Sequence, residues 1–341
     1  MGAKYHHRIP QTYLRAWGEN VWVYDKKTDR SEQRNIDSIM GQQFFHSIKA
    51  GSLFYTQESL SKIFSALDPY SVRIVEDGKE ILLNTKEQMN KYWFDFDNWI
   101  IEDGSGRAIS RKQRNVIKTT ISQTVDNTIE DEWSSRFESD WADIIGQIYQ
   151  GLKDIHQKKK VMLTEEAFDA IVRYYVMFQW RGYAGFEEAR KTYDWIMSLV
   201  PEIRDLATEN PVHREDKTAG DEMWHAFLLS SYYKFLNGQG IMEKQYEEYR
   251  NRLTLLAMLD PSESLLASDT PCFEYMSDTG NKEPIFVALP GLLISFVKKD
   301  PNDLLSYSIK ELSKKEVEDY NTIIIQYGNK IVSRNMLNWE K

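Results

Sequence analysis

The sequence lacks the residues and segments on which several common protein classes depend. It holds one cysteine, Cys272, among 341 residues, which excludes an internal disulfide and a zinc site built on cysteines. No run of about 18 uncharged apolar residues occurs, so we expect no membrane span. The start, residues 1–8, has no apolar segment behind its charges, so we expect no signal peptide. These absences favour a soluble protein of the cytoplasm.

Familiar catalytic signatures are also missing from the sequence. It contains no glycine-rich phosphate loop, no Gly-x-Ser-x-Gly elbow, no His-Glu-x-x-His and no calcium-binding loop of the EF-hand type. A net charge of −9 argues against nucleic-acid binding by the whole surface. Two local exceptions are a basic cluster of Arg107, Arg111, Lys112, Arg114 and Lys118, and a run of Lys158, Lys159 and Lys160 after Lys153. Each is interpreted as a phosphate-facing patch or as a solvated helix start and charged loop.

What the sequence does contain is material for a large core. Hydrophobic residues make up 41% and aromatic residues 13%, with 10 Trp, 19 Tyr and 15 Phe. This composition argues against disorder. A length of 341 residues suggests one large domain or two intimate ones.

Hydrophobic periodicity and turn residues predict an α+β fold that is predominantly helical. Its small, mostly antiparallel sheet would be built from N-terminal and C-terminal strands together. We expect a single unit over residues 1–341, with a β-hairpin region at 1–55, a helical block at 56–252, and C-terminal strands with a last helix at 253–341. Thr85, Ser110, Thr164 and Ser313 are predicted helix N-caps. The run Tyr174–Trp180 is apolar on almost every side, which is typical of a helix buried all round.

Three polar features stand out against this framework. The adjacent residues His6 and His7 offer one imidazole that could act as a base or as a ligand, or they belong to a flexible polar terminus. Arg181 ends the buried helix and requires a carboxylate or an anionic ligand, unless it extends to the surface. We consider Glu130 and Asp269 its candidate partners. Asp269 follows an apolar run and precedes Pro271, which is typical of a strand-end site or of a local turn.

These features coincide with motifs of a known family. The segment His7-Arg8-Ile9-Pro10-Gln11-Thr12-Tyr13-Leu14-Arg15-Ala16-Trp17 resembles the opening His-x-x-Pro-Gln-x-Tyr-Leu-x-x-Phe motif of the bacterial family called domain of unknown function 4238. A buried helix with a Gln and an Arg is similar to the segment holding Gln179 and Arg181. The late Ser-Asp-x-Pro motif corresponds to Ser268-Asp269-Thr270-Pro271. The resemblance extends from residue 7 to about residue 335, and the family has no agreed activity.

The resemblance implies that the polar side chains of these motifs converge. We expect His7 to transfer a proton, Arg181 to bind an anion, and Asp269 to orient or deprotonate, or to hold a divalent metal. His6, Gln11, Glu130, Gln179 and Ser268 would support them. This set favours a phosphodiester-directed hydrolase, such as a nuclease or a toxin-like defence effector.

Two other functions are compatible with the same residues. One is a non-catalytic binding or regulatory module with a protein partner, in which the polar residues are structural. The other is an enzyme for a small metabolite, which a closed pocket lined by Trp and Tyr would favour.

Overall fold

The fold is known from a computed structural model of the chain. It describes residues 5–43, 45–153, 164–213, 216–276, 280, 282–299 and 307–336. The protein is 48% helical and 23% strand, with small antiparallel sheets, which confirms the predicted α+β class. The lysine run at 158–160 lies outside the described residues. Among the helices of the described ranges, none is long and apolar enough to cross a membrane.

Twelve α-helices occur in the described part of the chain. They are α1 Gln11–Leu14, α2 Gln57–Ile63, α3 Lys86–Lys91, α4 Arg111–Gln123, α5 Thr128–Trp133, α6 Trp141–Lys153, α7 Glu165–Arg181, α8 Tyr183–Met197, α9 Pro201–Arg204, α10 Ala219–Leu236, α11 Gly240–Arg250 and α12 Lys314–Tyr327. A π-helical turn at Ser134–Glu138 follows α5. Such turns are rare in proteins and often occur at functional sites.

The strands are concentrated at both ends of the chain. They are β1 Tyr5–His7, β2 Asn20–Asp25, β3 Arg30–Asn35, β4 Gly41–Gln43, β5 Ser71–Glu76, β6 Lys79–Leu82, β7 Ile100–Glu102, β8 Leu253–Met258, β9 Ala267–Ser268, β10 Cys272–Met276, β11 Lys282–Leu289, β12 Leu292–Val297, β13 Tyr307–Glu311 and β14 Lys330–Ser333.

The strands form several sheets rather than the one sheet expected from the sequence. A four-stranded sheet in the order β3-β2-β14-β9 does join the two chain ends, because β14 pairs antiparallel with β2. A five-stranded sheet in the order β10-β11-β12-β8-β13 stands apart from it, and its β13–β8 pair is parallel. A three-stranded sheet, β6-β5-β7, lies within the predicted helical block. Its turn at Asp77-Gly78, with both residues at positive φ, is a local hairpin signal that the helical interpretation overlooked.

The chain divides into two compact units, each assembled from separate segments. The first unit comprises residues 1–4, 44–131 and 193–233, and the second comprises 5–43, 132–192 and 234–341. The boundaries predicted at residues 55 and 252 stay a prediction.

The core of the second unit forms around α7. The aromatic rings of Tyr13, Trp141, Phe178 and Phe286 pack against one another with centroid distances of 4.8 to 6.4 Å. Residues 174–178 are all buried, as the apolar run of this helix predicted. Buried aromatic pairs stabilise a core by their area and by about 0.5–1.5 kcal/mol of specific ring contact.

Local capping signals mark where several helices begin. The hydroxyls of Thr85, Ser110 and Ser313 each accept the backbone N–H three residues later, and a Gln or Glu at that position completes a capping box. Thr164 caps α7 in the same way with its hydroxyl alone. The helix that Thr85 caps, α3, is short: it ends at Lys91, and strand β7 begins at Ile100.

Candidate functional site

Arg181, at the end of α7, is buried in the second unit, and both of its terminal nitrogens have partners. Its side chain is 1% exposed, and Nη1 lies 2.6 Å from Oε1 of Glu138, which is 14% exposed. Nη2 donates to the carbonyl oxygen of His7. The guanidinium also lies 4.9 Å from the ring centroid of Trp133. A buried arginine is stabilised by such a pairing, and Glu138 is a carboxylate that the sequence did not single out.

The His7 ring is held by two neighbours of its own. The Gln11 amide donates to Nε2 over 2.8 Å, and Nδ1 lies 3.1 Å from the Ile39 carbonyl oxygen. The contact with the carbonyl oxygen requires a proton on Nδ1, and the contact with the amide holds Nε2 in place. Gln11 therefore orients the His7 ring, and its supporting role at a site stays a prediction.

Asp269 joins the Ser-Asp-x-Pro segment to strand β14. Its Oδ1 accepts the Asn329 backbone N–H over 2.8 Å, and its own N–H donates to the Lys330 carbonyl oxygen over 3.1 Å. Burial raises the pKa of the Asp269 carboxyl, although the N–H groups of Asn329 and Lys330 and the charge of Arg8 act to lower it. Ser268 forms a tight local turn with Thr270, donating to its carbonyl and accepting from its N–H.

The backbone around Gly182 connects Arg181 to the Asp269 segment. The N–H of Tyr183 donates to the Asp269 carbonyl oxygen over 2.6 Å. A Cβ on Gly182 would lie 2.6 Å from the Phe178 carbonyl oxygen and 3.4 Å from Pro271 Cδ, so a residue without a side chain is required for this approach. The second unit therefore brings Arg181 into direct contact with the His7 backbone, and it links Asp269 to them through neighbouring residues.

Arg8 is a further member of this region, at a position that the family motif leaves variable. Its guanidinium lies 4.1 Å from the Phe186 ring centroid on α8, and its charge lowers the pKa of Asp269. No local sequence signal distinguishes Arg8 or Glu138 from other surface charges. Their contacts depend on segments more than 40 residues away in the chain.

The remaining supporting residues lie in different surroundings. Gln179 hydrogen-bonds to the Tyr249 hydroxyl, which lowers a tyrosine pKa that burial raises. His6 is fully buried in β1. Glu130 lies in the first turn of α5, where its carboxylate contacts Nδ1 of His46. Both His46 and Glu130 belong to the first unit.

The predicted basic patch on the first unit is largely occupied by its own carboxylates and carbonyls. Arg107 pairs with Asp103, and Lys118 lies 2.7 Å from an oxygen of Asp97. Arg114 donates to the carbonyl oxygens of residues 96 and 97. Arg111 and Lys112 line an open depression on α4. This arrangement shows no phosphate-binding geometry, and a nucleic-acid partner stays a prediction.

A cleft of about 470 Å³ lies on the second unit beside Tyr174. Its charged residues neutralise one another: Arg173 lies 3.0 Å from Asp169, and Arg250 lies 3.0 Å from Glu165. It is open and lined mostly by charged side chains rather than by Trp and Tyr. It therefore lacks the closed aromatic lining that would favour an enzyme for a small metabolite.

The first unit exposes a run of large apolar side chains, which we call the 195–206 surface. Its members are 40% to 72% exposed and comprise Trp195, Ile196, Leu199, Val200, Ile203 and Leu206. They lie at the end of α8, in the turn at 198–200, in α9 and just after it. Large apolar side chains exposed together in so short a segment are typical of interaction sites.

The packing of Tyr193 shows which side of the end of α8 is covered and which side is in solvent. Its ring lies 5.2 Å from that of Trp224 and 6.3 Å from that of Phe227, and its hydroxyl donates to the Gly220 carbonyl oxygen. The end of α8 therefore packs on α10 through Tyr193, while Trp195 and Leu199 face away. The sequence shows apolar residues here, but it does not show which of them α10 covers.

The family of the chain is shown by comparison with family models. A model of the family described as Protein of unknown function (DUF4238) matches residues 5–335. The chain belongs to this family. No curated protein and no solved structure is significantly similar to it.

In this DUF4238 protein the opening motif has a clear structural role. The Tyr13 hydroxyl donates to the Val287 carbonyl oxygen, and the Trp17 indole donates to the Leu265 carbonyl oxygen, each over 2.8 Å. Both side chains are buried. The motif thereby fastens the start of the chain to strand β11 and to the segment before β9. Together with His7 and Arg181, it forms a hydrogen-bonded clamp at the centre of the second unit.

Proposed function

We propose that this DUF4238 protein is a non-catalytic binding module that docks a protein partner on the 195–206 surface. The observation that carries the proposal is the exposure of Trp195 and Leu199, at 68% and 72%. Burial of each side chain in an interface would contribute about 1.5–3 kcal/mol of hydrophobic free energy. Tryptophan is also the residue type most enriched at binding hot spots.

The charges around this surface indicate the chemistry of the partner. Residues 191–209 carry two basic and four acidic side chains, and one of the basic ones, Arg204, is bound to Asp205. The whole chain has a net charge of −9. A second copy of the chain would bring like charges together. The surface therefore suits a partner that presents an apolar helical face flanked by lysine or arginine.

The experiment uses two dye-labelled amphipathic peptides of about 18 residues, one of Leu and Lys and one of Leu and Glu with the same spacing. Fluorescence anisotropy at physiological salt measures their binding to the full chain. We expect the Leu/Lys peptide to bind at least tenfold more tightly than the Leu/Glu peptide. Leu199→Glu should weaken it at least tenfold, whereas Val116→Glu, at a 58% exposed site on α4, should not.

Other occupants of the 195–206 surface would be identified by gel filtration and by vesicle binding. If gel filtration shows a dimer that Leu199→Glu dissociates, the surface binds a second copy. If anionic vesicles bind the chain and Leu199→Glu abolishes this while neither peptide binds, the surface is a membrane contact. Either outcome, or equal binding of both peptides, overturns the proposal.

The hydrolase predicted from the sequence would require two residues of the clamp, Arg181 and His7, to act in catalysis. Arg181 would have to bind a phosphate, but its guanidinium already neutralises Glu138 and contacts the His7 carbonyl. His7 would have to accept a proton at an Nε2 atom that already accepts from Gln11. These contacts favour a structural role for the clamp. Hydrolysis of bis-p-nitrophenyl phosphate with Mn²⁺, abolished in folded Asp269→Asn, would establish the catalytic alternative.

A further inference from the structure

A second polar cluster lies in the first unit, where the chain segments at 46–48 and 126–130 run side by side. Ile48 and Asp126 exchange two backbone hydrogen bonds of 2.9 Å. The Ser47 hydroxyl donates to Oδ1 of Asn127 over 2.7 Å. These bonds fix the register of the two segments, and they set His46 opposite Glu130 in the first turn of α5.

The His46 ring is enclosed and oriented by its neighbours. It is 1% exposed, and the Tyr232 ring meets it edge-on at a centroid distance of 5.4 Å. The carbonyl oxygen of the preceding residue, Phe45, accepts from Nε2 of His225 over 2.8 Å. Rigid surroundings of this kind hold a ligand side chain in place before a ligand arrives.

From this geometry we infer that His46 and Glu130 are two ligands of a divalent transition-metal cation. The imidazole nitrogen and the carboxylate oxygen lie together in a largely water-excluded position. One nitrogen and one oxygen form a donor pair that Zn²⁺ and Mn²⁺ accept. Zn²⁺ takes four ligands, so further donors have to join these two when a cation binds. Carboxylates alone would favour Mg²⁺ or Ca²⁺ instead.

The competing explanation is a simple ion pair between a protonated His46 and Glu130. An ion pair has no requirement for a metal, and it is not displaced by one. A metal site requires His46 to be deprotonated at the ligating nitrogen, so cation binding would release a proton when the free pair is protonated. The two explanations therefore differ in whether the chain takes up a cation at neutral pH.

Isothermal titration calorimetry of the full, chelator-treated chain with Zn²⁺, and then with Mn²⁺, tests the inference. We expect one site that Glu130→Gln weakens about tenfold or more. Glu130→Gln keeps the size of the side chain, and circular dichroism shows whether it folds. Asp131→Asn removes the neighbouring exposed carboxylate and should leave the affinity unchanged.

The inference is overturned if the wild-type chain binds neither cation, or if Glu130→Gln and Asp131→Asn bind alike. His46→Gln is the second variant, since it removes the imidazole while retaining a polar side chain. Its titration should show the same loss. Peptide binding to the 195–206 surface is measured without metal, so either proposal can fail while the other stands.

Discussion

Arg181 and Glu138 form a 2.6 Å ion pair between the end of α7 and the π-helical turn at Ser134–Glu138. Because both side chains are largely buried, neither charge can be left alone without a large cost. The same guanidinium contacts the His7 carbonyl oxygen. This pair therefore couples the opening family motif to the central helix of the second unit.

Removing one partner of this pair should lower the free energy of unfolding strongly. We expect Glu138→Gln to cost about 3–5 kcal/mol, since Arg181 would keep a buried charge without its counter-ion. The double variant Arg181→Met with Glu138→Gln should be more stable than Glu138→Gln alone. Urea unfolding followed by tryptophan fluorescence measures all three proteins.

An exposed pair nearby provides the control for this prediction. Arg136 and Glu132 lie 3.4 Å apart with side chains 50% and 43% exposed, so Glu132→Gln should cost less than about 1 kcal/mol. Equal effects of Glu138→Gln and Glu132→Gln would show that the buried pair does not stabilise the second unit.

The pKa of Asp269 makes stability depend on pH in a defined direction. Burial raises this pKa, so the folded state holds the proton at pH values where the unfolded chain, with a pKa of about 3.9, has lost it. The free energy of unfolding must then fall as pH rises through that window. Asp269→Asn cannot ionise, so wild-type stability relative to this variant should decline from about pH 4 upward.

The pKa of Glu316 makes stability depend on pH in the opposite direction. Hydrogen bonding from Lys310, with a smaller contribution from Ser313, lowers its pKa to about 2. Its contribution to stability is present above the unfolded pKa of about 4.3 and is lost as pH falls through about 2. Thermal unfolding between pH 2 and 7 should therefore give opposite slopes for Asp269→Asn and Glu316→Gln relative to wild type. Parallel slopes would contradict the burial of Asp269.

Gly182 should tolerate no side chain. A Cβ there would lie 2.6 Å from the Phe178 carbonyl oxygen, so we expect Gly182→Ala to destabilise the protein by about 1–3 kcal/mol. Gly146, in the middle of α6, has open space around a built Cβ. Gly146→Ala should stabilise by about 0.5–1 kcal/mol through helix propensity. If Gly182→Ala left the free energy of unfolding unchanged, α8 would be able to shift away from Asp269 at little cost.

Substitution of His7, a residue of the clamp, should lower stability without changing peptide binding to the 195–206 surface. His7→Ala leaves the Gln11 amide and the Ile39 carbonyl oxygen without their partner, which costs about 1–3 kcal/mol. The Leu/Lys peptide should bind this variant as it binds wild type, because its binding surface lies at 195–206. Loss of peptide binding in a folded His7→Ala protein would contradict the division of roles between the clamp and the surface.

Local chemistry explains which parts of the fold could be predicted from the sequence. The capping residues Ser110 and Ser313 bond to backbone groups three residues away, so their signal lies within one helical turn. The apolar run at 174–178 specifies burial on all sides by itself. A sheet that contains strands from both ends of the chain was also predicted, since both ends carry short β-rich segments. The pairing of β2 with β14 within it was not predicted.

Long-range contacts explain which parts could not be predicted. Glu138 contacts Arg181 across 43 residues, and no pattern distinguishes its carboxylate from those of Glu130 or Asp269. The pairing of His46 with Glu130 spans 84 residues. The exposure of Trp195 depends on how α8 packs against α10 through Tyr193. Sequence patterns identify apolar residues, but tertiary packing decides which of them remain in solvent.

The decisive measurement is the affinity of the Leu/Lys peptide for wild type and for Leu199→Glu, made by anisotropy at physiological salt. We expect Leu199→Glu to weaken binding at least tenfold, while Val116→Glu and His7→Ala leave it unchanged. Equal affinity for wild type and Leu199→Glu would contradict the claim that the 195–206 surface is where this protein meets its partner.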